Sequence, residues 1–259
     1  MLKNDSIHHT YLRNNTICSI GVYADEPEKL VNGIPTSIEE NPQAVSIRMN
    51  NQHICGGTII NNRFILTAAH CIQFRSTQGL TVVTGTTYLN QGGVAHRIER
   101  WVSHENYNPN YPGRHAGFDI GLIKLATPIT FNRSQQLVGL PKSNSVRGEG
   151  VTIVAWGSVG FRQAVHNNLQ KLNAQVMLQP ECQTRHQNFM EVHPNEFCTL
   201  IRTGTGTCNG DSGSGVIRNS DRTIIGLVSG GRPCAQGYPD VYTDVSRFTT
   251  WIQNKMNIL

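Results

Sequence analysis

The chain has 259 residues, of which 15% are charged, and its formal net charge is +5. This length suffices for one large folded unit or two small ones. The positive charge is scattered without a run of Lys or Arg, which argues against nucleic-acid binding, and no apolar stretch is long enough to predict a transmembrane helix.

Short strands are the main elements that the sequence predicts, because apolar runs of four or five residues alternate with turns rich in Gly and Pro. They follow a polar segment, residues 1–29, and a connector with Pro128 and Pro141 separates two groups of them. The predicted strands are Val45–Met49, Phe64–Leu66, Leu80–Val83, Val151–Val154 and Ile224–Val228.

One helix is predicted at the C-terminus, where Ser246 is a residue type that caps helices. Four apolar residues then fall on one helical face, which indicates docking onto the core and not a ligand site. They are Phe248, Trp251, Ile252 and Met256.

The seven cysteines are the next informative feature. None belongs to a Cys-x-x-Cys pair, and no His/Cys cluster has zinc spacing, so we expect neither a metal nor a cofactor. Their spacing alone leaves many disulfide pairings open. They are Cys18, Cys55, Cys71, Cys182, Cys198, Cys208 and Cys234.

Three motifs contain the residue types of an acyl-transfer triad: Leu66–Cys71 with His70, Phe118–Leu125 with Asp119, and Cys208–Gly213 with Ser212. A serine hydroxyl needs a nearby imidazole to take its proton, and the imidazole needs a carboxylate to fix its tautomer. Each motif alone is also typical of an ordinary turn or of a buried core residue. Their order and spacing together predict the triad.

The glycines around the serine let backbone N–H groups approach a developing oxyanion closely. The expected donors are the N–H groups of Gly210 and Ser212. At these motifs the chain resembles the chymotrypsin-like serine peptidases. The resemblance runs from about Leu30 to the C-terminus and includes Cys55–Gly57, Ala155–Gly157 and Pro239–Thr243.

This resemblance implies an all-β fold of two six-stranded antiparallel β-barrels with the active site between them, plus a C-terminal helix. The expected bounds are about 30–135 for the first barrel, 136–245 for the second and 246–258 for the helix. The implied function is that of a secreted serine endopeptidase that uses a Ser-His-Asp acyl-enzyme mechanism.

The resemblance also implies three disulfides, Cys55–Cys71, Cys182–Cys198 and Cys208–Cys234, which leave Cys18 without a partner. Three bridges indicate an oxidising compartment and therefore an extracellular protein. Residues 1–29 contain no apolar run of the signal-peptide type. We nevertheless expect an extracellular protein, because we give the cysteine argument more weight. In a secreted protein Asn132 is a glycosylation acceptor.

In such peptidases an activation cut exposes a new N-terminus. Residues 1–29 resemble a leader and activation peptide that is cut after Lys29. The freed amine of Leu30, where the family usually has Ile or Val, would pair with the buried Asp211. The alternative is that the segment is an ordinary polar tail and Lys29 is irrelevant.

Four residues match the substrate pocket of the family. Gly206 stands where trypsin-like members have Asp, and Gly231 leaves the entrance open, so large apolar residues such as Phe, Tyr, Trp or Leu are expected substrates. Asp240 stands where Gly is usual, as in arthropod chymotrypsin-like and collagenolytic enzymes. It either admits Lys or Arg or is bonded to backbone without selecting anything. Ser229 matches the residue that supports the catalytic Asp.

Other departures from the family are Ser214 after the nucleophile loop and Gly230 in place of an aromatic residue, which indicates a broader substrate range. The expected partners of this monomer are polypeptide substrates, an activating trypsin-like protease and protein protease inhibitors, with no nucleic acid and no membrane. Two alternatives stay open: a trypsin-like or broad-specificity collagenolytic peptidase, and a catalytically silent homologue that acts as a binding protein.

Overall fold

The computed structural model describes residues 30–259 except 74, 111–116, 188 and 233. The expectations for the leader, for Cys18 and for Lys29 lie outside the described residues. Within the described part of the chain, no helix is long and apolar enough to cross a membrane.

The first half of the described chain forms a closed barrel of six antiparallel strands, preceded by the two-residue strand β1 (Ile34–Pro35). Its strands are β2 (Ala44–Met49), β3 (Gln52–Ile59), β4 (Phe64–Thr67), β5 (Leu80–Thr84), β6 (Val94–Ser103) and β7 (Gly121–Leu125). They neighbour one another in the order β2-β3-β4-β7-β6-β5. The short helix α1 (Ala69–Ile72) follows β4 directly.

The second half forms another closed antiparallel barrel, again of six strands. They are β8 (Gly150–Ala155), β9 (Gln170–Leu178), β10 (Glu196–Thr199), β11 (Gly215–Arg218), β12 (Ile224–Gly231) and β13 (Asp240–Asp244). Their order is β9-β10-β13-β12-β11-β8, and pairing of β8 with β9 closes the ring. The helix α2 (Gln179–His186) connects β9 to β10, and β1 pairs with β9 from outside the ring. The predicted fold class is therefore confirmed.

Apolar strand residues fill each barrel, and a third cluster lies between the two barrels. This cluster joins Leu66 and Ile120 of the first barrel to Leu227 of the second and to Ile252 near the C-terminus. Burial of such side chains contributes about 1.5–3 kcal/mol each. The cluster fixes one barrel against the other beside the ends of β4, β7 and β12.

The C-terminal helix begins later than the sequence indicates. Helix α3 spans Thr249–Ile258, and Ser246 lies instead in a 3₁₀ turn, Val245–Arg247. The Ser246 hydroxyl donates to Asp244 Oδ1 over 2.7 Å, so Ser246 does not cap the helix. The predicted apolar stripe does pack on the core, with Phe248 and Ile252 buried.

Candidate active site

His70 and Asp119 come together in the first barrel, because α1 follows β4 and Asp119 lies two residues before its neighbour β7. The His70 backbone N–H donates to Asp119 Oδ1 over 2.9 Å, and His70 Nδ1 lies 2.7 Å from Oδ2. The Asp119 side chain is almost completely buried. Since Nδ1–H donates to the carboxylate, the other ring nitrogen, Nε2, is the one that can accept a proton.

The second barrel completes the surroundings of this carboxylate. The Ser229 hydroxyl donates to Asp119 Oδ2 over 2.7 Å, and the Thr243 hydroxyl donates to the Asp119 carbonyl over 2.9 Å. Burial lowers the pKa of His70, but the charge of Asp119 and its hydrogen bond raise it more, so the net shift is upward. Asp119 thus stabilises the protonated imidazole.

Ser212 lies in a tight loop that the second barrel presents to the first. The Gly56 N–H donates to the Ser212 carbonyl over 2.8 Å, and the Gly213 N–H donates to the Val228 carbonyl over 2.7 Å. Gly213 has a φ of 76°, and a Cβ there would lie 2.2 Å from Thr67 Oγ1. Only glycine permits this approach. As a result, Ser212 and His70 line the same cavity.

Two backbone N–H groups of this loop are available to a ligand. Among the described residues, neither the N–H of Gly210 nor that of Ser212 donates a hydrogen bond within the protein. They are the donors that the sequence predicts for an oxyanion. A site of this kind depends on donors that are held in place before the reaction.

His53 and Ser46, which sequence reasoning missed, hold the Gly210 peptide. His53 Nε2 lies 3.0 Å from the Gly210 carbonyl and therefore carries the proton, so Nδ1 accepts from the Ser46 hydroxyl over 2.9 Å. Burial lowers the pKa of His53 to about 4, although the bond to Gly210 opposes this shift. The only available signal was the position of His53 beside the Cys55–Gly57 motif.

Asp211, next to Ser212, is fully buried. Its Oδ1 accepts from the Gly157 N–H over 2.7 Å, and its Oδ2 accepts from the Cys208 N–H over 2.8 Å. Burial raises the pKa of Asp211 to about 8 against these two hydrogen bonds. A buried carboxylate in this position favours a cation beside it.

The start of the described chain docks into the second barrel. Leu30 is completely buried and packs with Val151 and Val228. The Gly206 N–H donates to the Val31 carbonyl over 3.1 Å, and Asn32 Nδ2 donates to the Gly204 carbonyl over 2.7 Å. Therefore residues 30–32 contact the loop that leads to the pocket.

The disulfides Cys55–Cys71, Cys182–Cys198 and Cys208–Cys234 are all present, as the resemblance implies. The first ties α1 to β3, and the third ties the loop before Ser212 to the opposite side of the pocket. His70 and His186 each lie near two of these cysteines. Those cysteines offer no thiolate for a metal because their sulfurs are bonded to each other.

A cavity of about 370 Å³ extends from His70 and Ser212 into the second barrel. Three of the residues expected in the substrate pocket, Ser229, Gly231 and Asp240, line it. Gly206 does not line it but lies behind Asp240, where a Cβ would be 2.7 Å from Asp240 Oδ2. Its lack of a side chain makes room for this carboxylate, which the sequence could not show.

The surroundings of Asp240 bear on the two alternatives that the sequence left open. It lines the cavity, and its Oδ2 also accepts from the Thr207 N–H over 2.7 Å. Burial raises the pKa of Asp240 to about 7, although hydrogen bonds from the backbone and side chain of Thr207 oppose this shift. Its charge therefore varies around neutral pH.

Comparisons with known proteins agree with this geometry. The family model described as "Trypsin" matches residues 30–252. The chain belongs to the trypsin family. It is 35% identical over 225 residues to Chymotrypsin-2 of Vespa crabro, a match that covers 86% of this chain and 98% of the relative.

The chain is also similar to relatives that are named trypsins and to a solved serine protease. Trypsin alpha-4 of Lucilia cuprina is 30% identical, and the match covers 91% of this chain and 92% of the relative. Among solved structures, neuropsin, a serine protease of mouse brain, is similar with a TM-score of 0.78 and 27% identity, over 86% of this chain and 98% of that one. The chain is accordingly a serine endopeptidase of the chymotrypsin and trypsin type, for which polypeptides are substrates.

Proposed function

We propose that this serine protease cleaves peptide bonds through an acyl-enzyme formed on Ser212, with His70 as general base and Asp119 as its orienting carboxylate. The proposal is carried by two hydrogen bonds of 2.7 Å, one from Ser229 to Asp119 and one between Asp119 and His70. His70 lines the same cavity as Ser212. These contacts fix the imidazole in the tautomer that accepts the serine proton.

The steps follow from these positions. Ser212 Oγ attacks the carbonyl carbon while His70 Nε2 takes its proton, and the N–H groups of Gly210 and Ser212 stabilise the oxyanion. His70 then donates the proton to the leaving amine. Water, deprotonated by His70, releases the acid product and restores Ser212.

The pocket supports cleavage after large apolar residues, because the cavity near Val228 and Gly231 is roomy and Gly206 supplies no charge. Asp240 adds a second activity toward Lys and Arg when it is ionised. This combination corresponds to a broad specificity, with apolar side chains preferred.

Activation by cleavage after Lys29 is the second part of the proposal. Leu30 is already buried in the second barrel, and its φ is 56°. Left-handed backbone of this kind costs an L residue about 1–3 kcal/mol. A cut after Lys29 frees this torsion from the peptide bond and would supply an ammonium group for the buried Asp211.

We also propose an extracellular location and two classes of protein partner for the enzyme. Three disulfides fit an extracellular protein. Cleavage after a basic residue requires a trypsin-like activator, and protein protease inhibitors are expected partners of the cleft. We propose that the enzyme acts as a monomer.

The test uses the full chain cut at Lys29 by a trypsin-like protease, with a Ser212→Ala chain treated identically. Only the cut parent protein is expected to hydrolyse peptides with Phe or Leu before the scissile bond. The Ser212→Ala chain also controls for residual activator. Equal hydrolysis by both chains would refute the assignment.

A further inference from the structure

Arg232 lies at the rim of the cavity, directly after Gly231, and lines it together with His70 and Ser212. Its guanidinium carbon lies 4.5 Å from the ring centroid of Phe189 and 4.3 Å from that of Tyr238. The cation therefore contacts two aromatic rings at once. The negative ring faces attract the cation and favour this position of the guanidinium.

A buried side chain supports Tyr238 on the protein side. Tyr238 stacks on His186 with 6.2 Å between ring centroids, and His186 is 1% exposed. His186 Nε2 lies 3.0 Å from the Pro239 carbonyl, next to Asp240. Phe189 on the outer side is 52% exposed. Thus the guanidinium is held from the protein side and is accessible from the cleft.

The charge of Arg232 is not neutralised within the described part of the chain. No carboxylate there forms an ion pair with Arg232, and its guanidinium donates no hydrogen bond to a described residue. Aromatic contacts use the face of a guanidinium, whereas its five N–H donors lie in its plane. An oriented cation with free donors is suited to bind a carboxylate.

The adjacent strand shows which ligand would supply that carboxylate. Pairing between β11 and β12 ends at Leu227, so among the described residues Ser229–Gly231 has a strand neighbour only on the β13 side. A peptide can add as a strand to such an open edge. A peptide that runs antiparallel to β12 with its reacting residue opposite Ser229 would have its third residue on the amino side opposite Gly231 and its fourth opposite Arg232. Gly230 has no side chain to obstruct it.

We propose that Arg232 selects substrates with Asp or Glu at the third or fourth position on the amino side of the scissile bond. The inference rests on the proposed endopeptidase function and adds a substrate class to it. The site then recognises two features of a peptide: an apolar or basic residue in the cavity and an acidic residue beyond it.

The experiment measures kcat/KM of the processed enzyme on peptide pairs that differ only by Glu or Gln at the third or the fourth position. We expect a preference for Glu of roughly fivefold, typical of a partly exposed charge pair. Added salt should reduce it, since such pairs are screened.

Variants test the source of this preference. Arg232→Gln is expected to bring the Glu/Gln ratio to about one, and Arg232→Lys is expected to retain part of it because Lys keeps the charge but not the planar donors. Arg162→Gln is the matched control. Arg162 also lies over an aromatic ring, Phe161, at 5.0 Å, but it is exposed and does not line the cavity.

The ratio cancels any general loss of activity in the Arg232 variants. A ratio of one at both positions in the parent enzyme, or a ratio unchanged by Arg232→Gln, overturns the inference and leaves the proposed function intact. Failure of the parent enzyme to cut any peptide of the panel contradicts the proposed function instead.

Discussion

In the first barrel, Asp119 is buried beside an imidazole, whereas in the second barrel Asp211 and Asp240 are buried beside backbone N–H groups. The Asp119 carboxylate accepts hydrogen bonds from the His70 ring, from the His70 backbone N–H and from the Ser229 hydroxyl. For Asp211 and Asp240, burial dominates and raises the pKa to about 8 and about 7. The first carboxylate has within the fold a hydrogen-bond partner, His70, that becomes cationic when it takes a proton.

This difference indicates how the two sides are controlled. The side with His70 is complete as folded, because the Asp119 carboxylate has all of its partners within the protein. The side with Ser212 and the pocket has two buried carboxylates that favour cations. We infer that the Leu30 amine supplies one of them after activation, and a basic substrate supplies the other.

The largest effect should come from removing the nucleophile or the base. Ser212→Ala or His70→Ala is expected to reduce kcat by about 10⁴-fold or more, because the two residues act as a unit. The unfolding midpoint of Ser212→Ala should stay close to that of the parent protein, since no new group is buried. A variant that keeps full activity would contradict the triad.

Blocking the activation cut should have the next largest effect. The uncut Lys29→Gln chain is expected to be at least about a hundredfold less active than the processed enzyme. Without the Leu30 ammonium beside Asp211, we expect the adjacent N–H donors of Gly210 and Ser212 to lose their fixed positions, and the loss of one oxyanion donor costs this much. The measurement is the rate at which each of the two proteins hydrolyses the same peptide. Cutting Lys29→Arg provides the matched control, and equal turnover by the uncut Lys29→Gln chain and the processed enzyme would refute activation.

Asp240 should show a specific and smaller effect. Asp240→Gly is expected to cost about 1–3 kcal/mol in kcat/KM for Arg peptides while Phe peptides are cut nearly as before. The pH dependence has a definite sign. Asp240 is neutral below its pKa of about 7 and charged above it, so the Arg/Phe ratio should rise as pH increases through this range.

A ratio that stays constant with pH, or Arg cleavage that survives Asp240→Gly unchanged, would show that Asp240 is structural. An enzyme that cuts only after Arg would overturn the apolar preference itself.

The smallest effect is expected at the support of the oxyanion loop. Ser46→Ala removes the hydroxyl that donates to His53 Nδ1 and accepts from Arg48 Nε over 3.1 Å. An unsatisfied buried acceptor costs about 1–3 kcal/mol, and we expect a decrease in kcat of up to about tenfold. KM should change less than kcat, and the opposite pattern would place the effect in substrate binding.

The sequence predicted the features that local motifs carry. Apolar runs located strands of both barrels, and three motifs named residues that the structure brings to one cleft. Ser246 was misread as a helix cap because its hydroxyl bonds to Asp244, a contact that the cap pattern does not include. The Gly206 and Asp240 arrangement depends on a close approach between the loop that follows β10 and the start of β13, which spacing cannot show.

Other parts of the site depend on residues that are distant along the chain. His53 and Gly210 are 157 positions apart, and their hydrogen bond exists only because the barrels meet. The contact of Arg232 with Phe189 likewise joins two loops of the second barrel. Neither pair has a local pattern by which a sequence could reveal it.

The most direct measurement is peptide mass spectrometry of the protein after reaction with a fluorophosphonate, which phosphonylates an activated serine. We predict one adduct per molecule, on Ser212, in the chain cut after Lys29, and almost none in the uncut chain. An adduct on another residue, or none on Ser212 in the processed protein, would contradict the proposed active site.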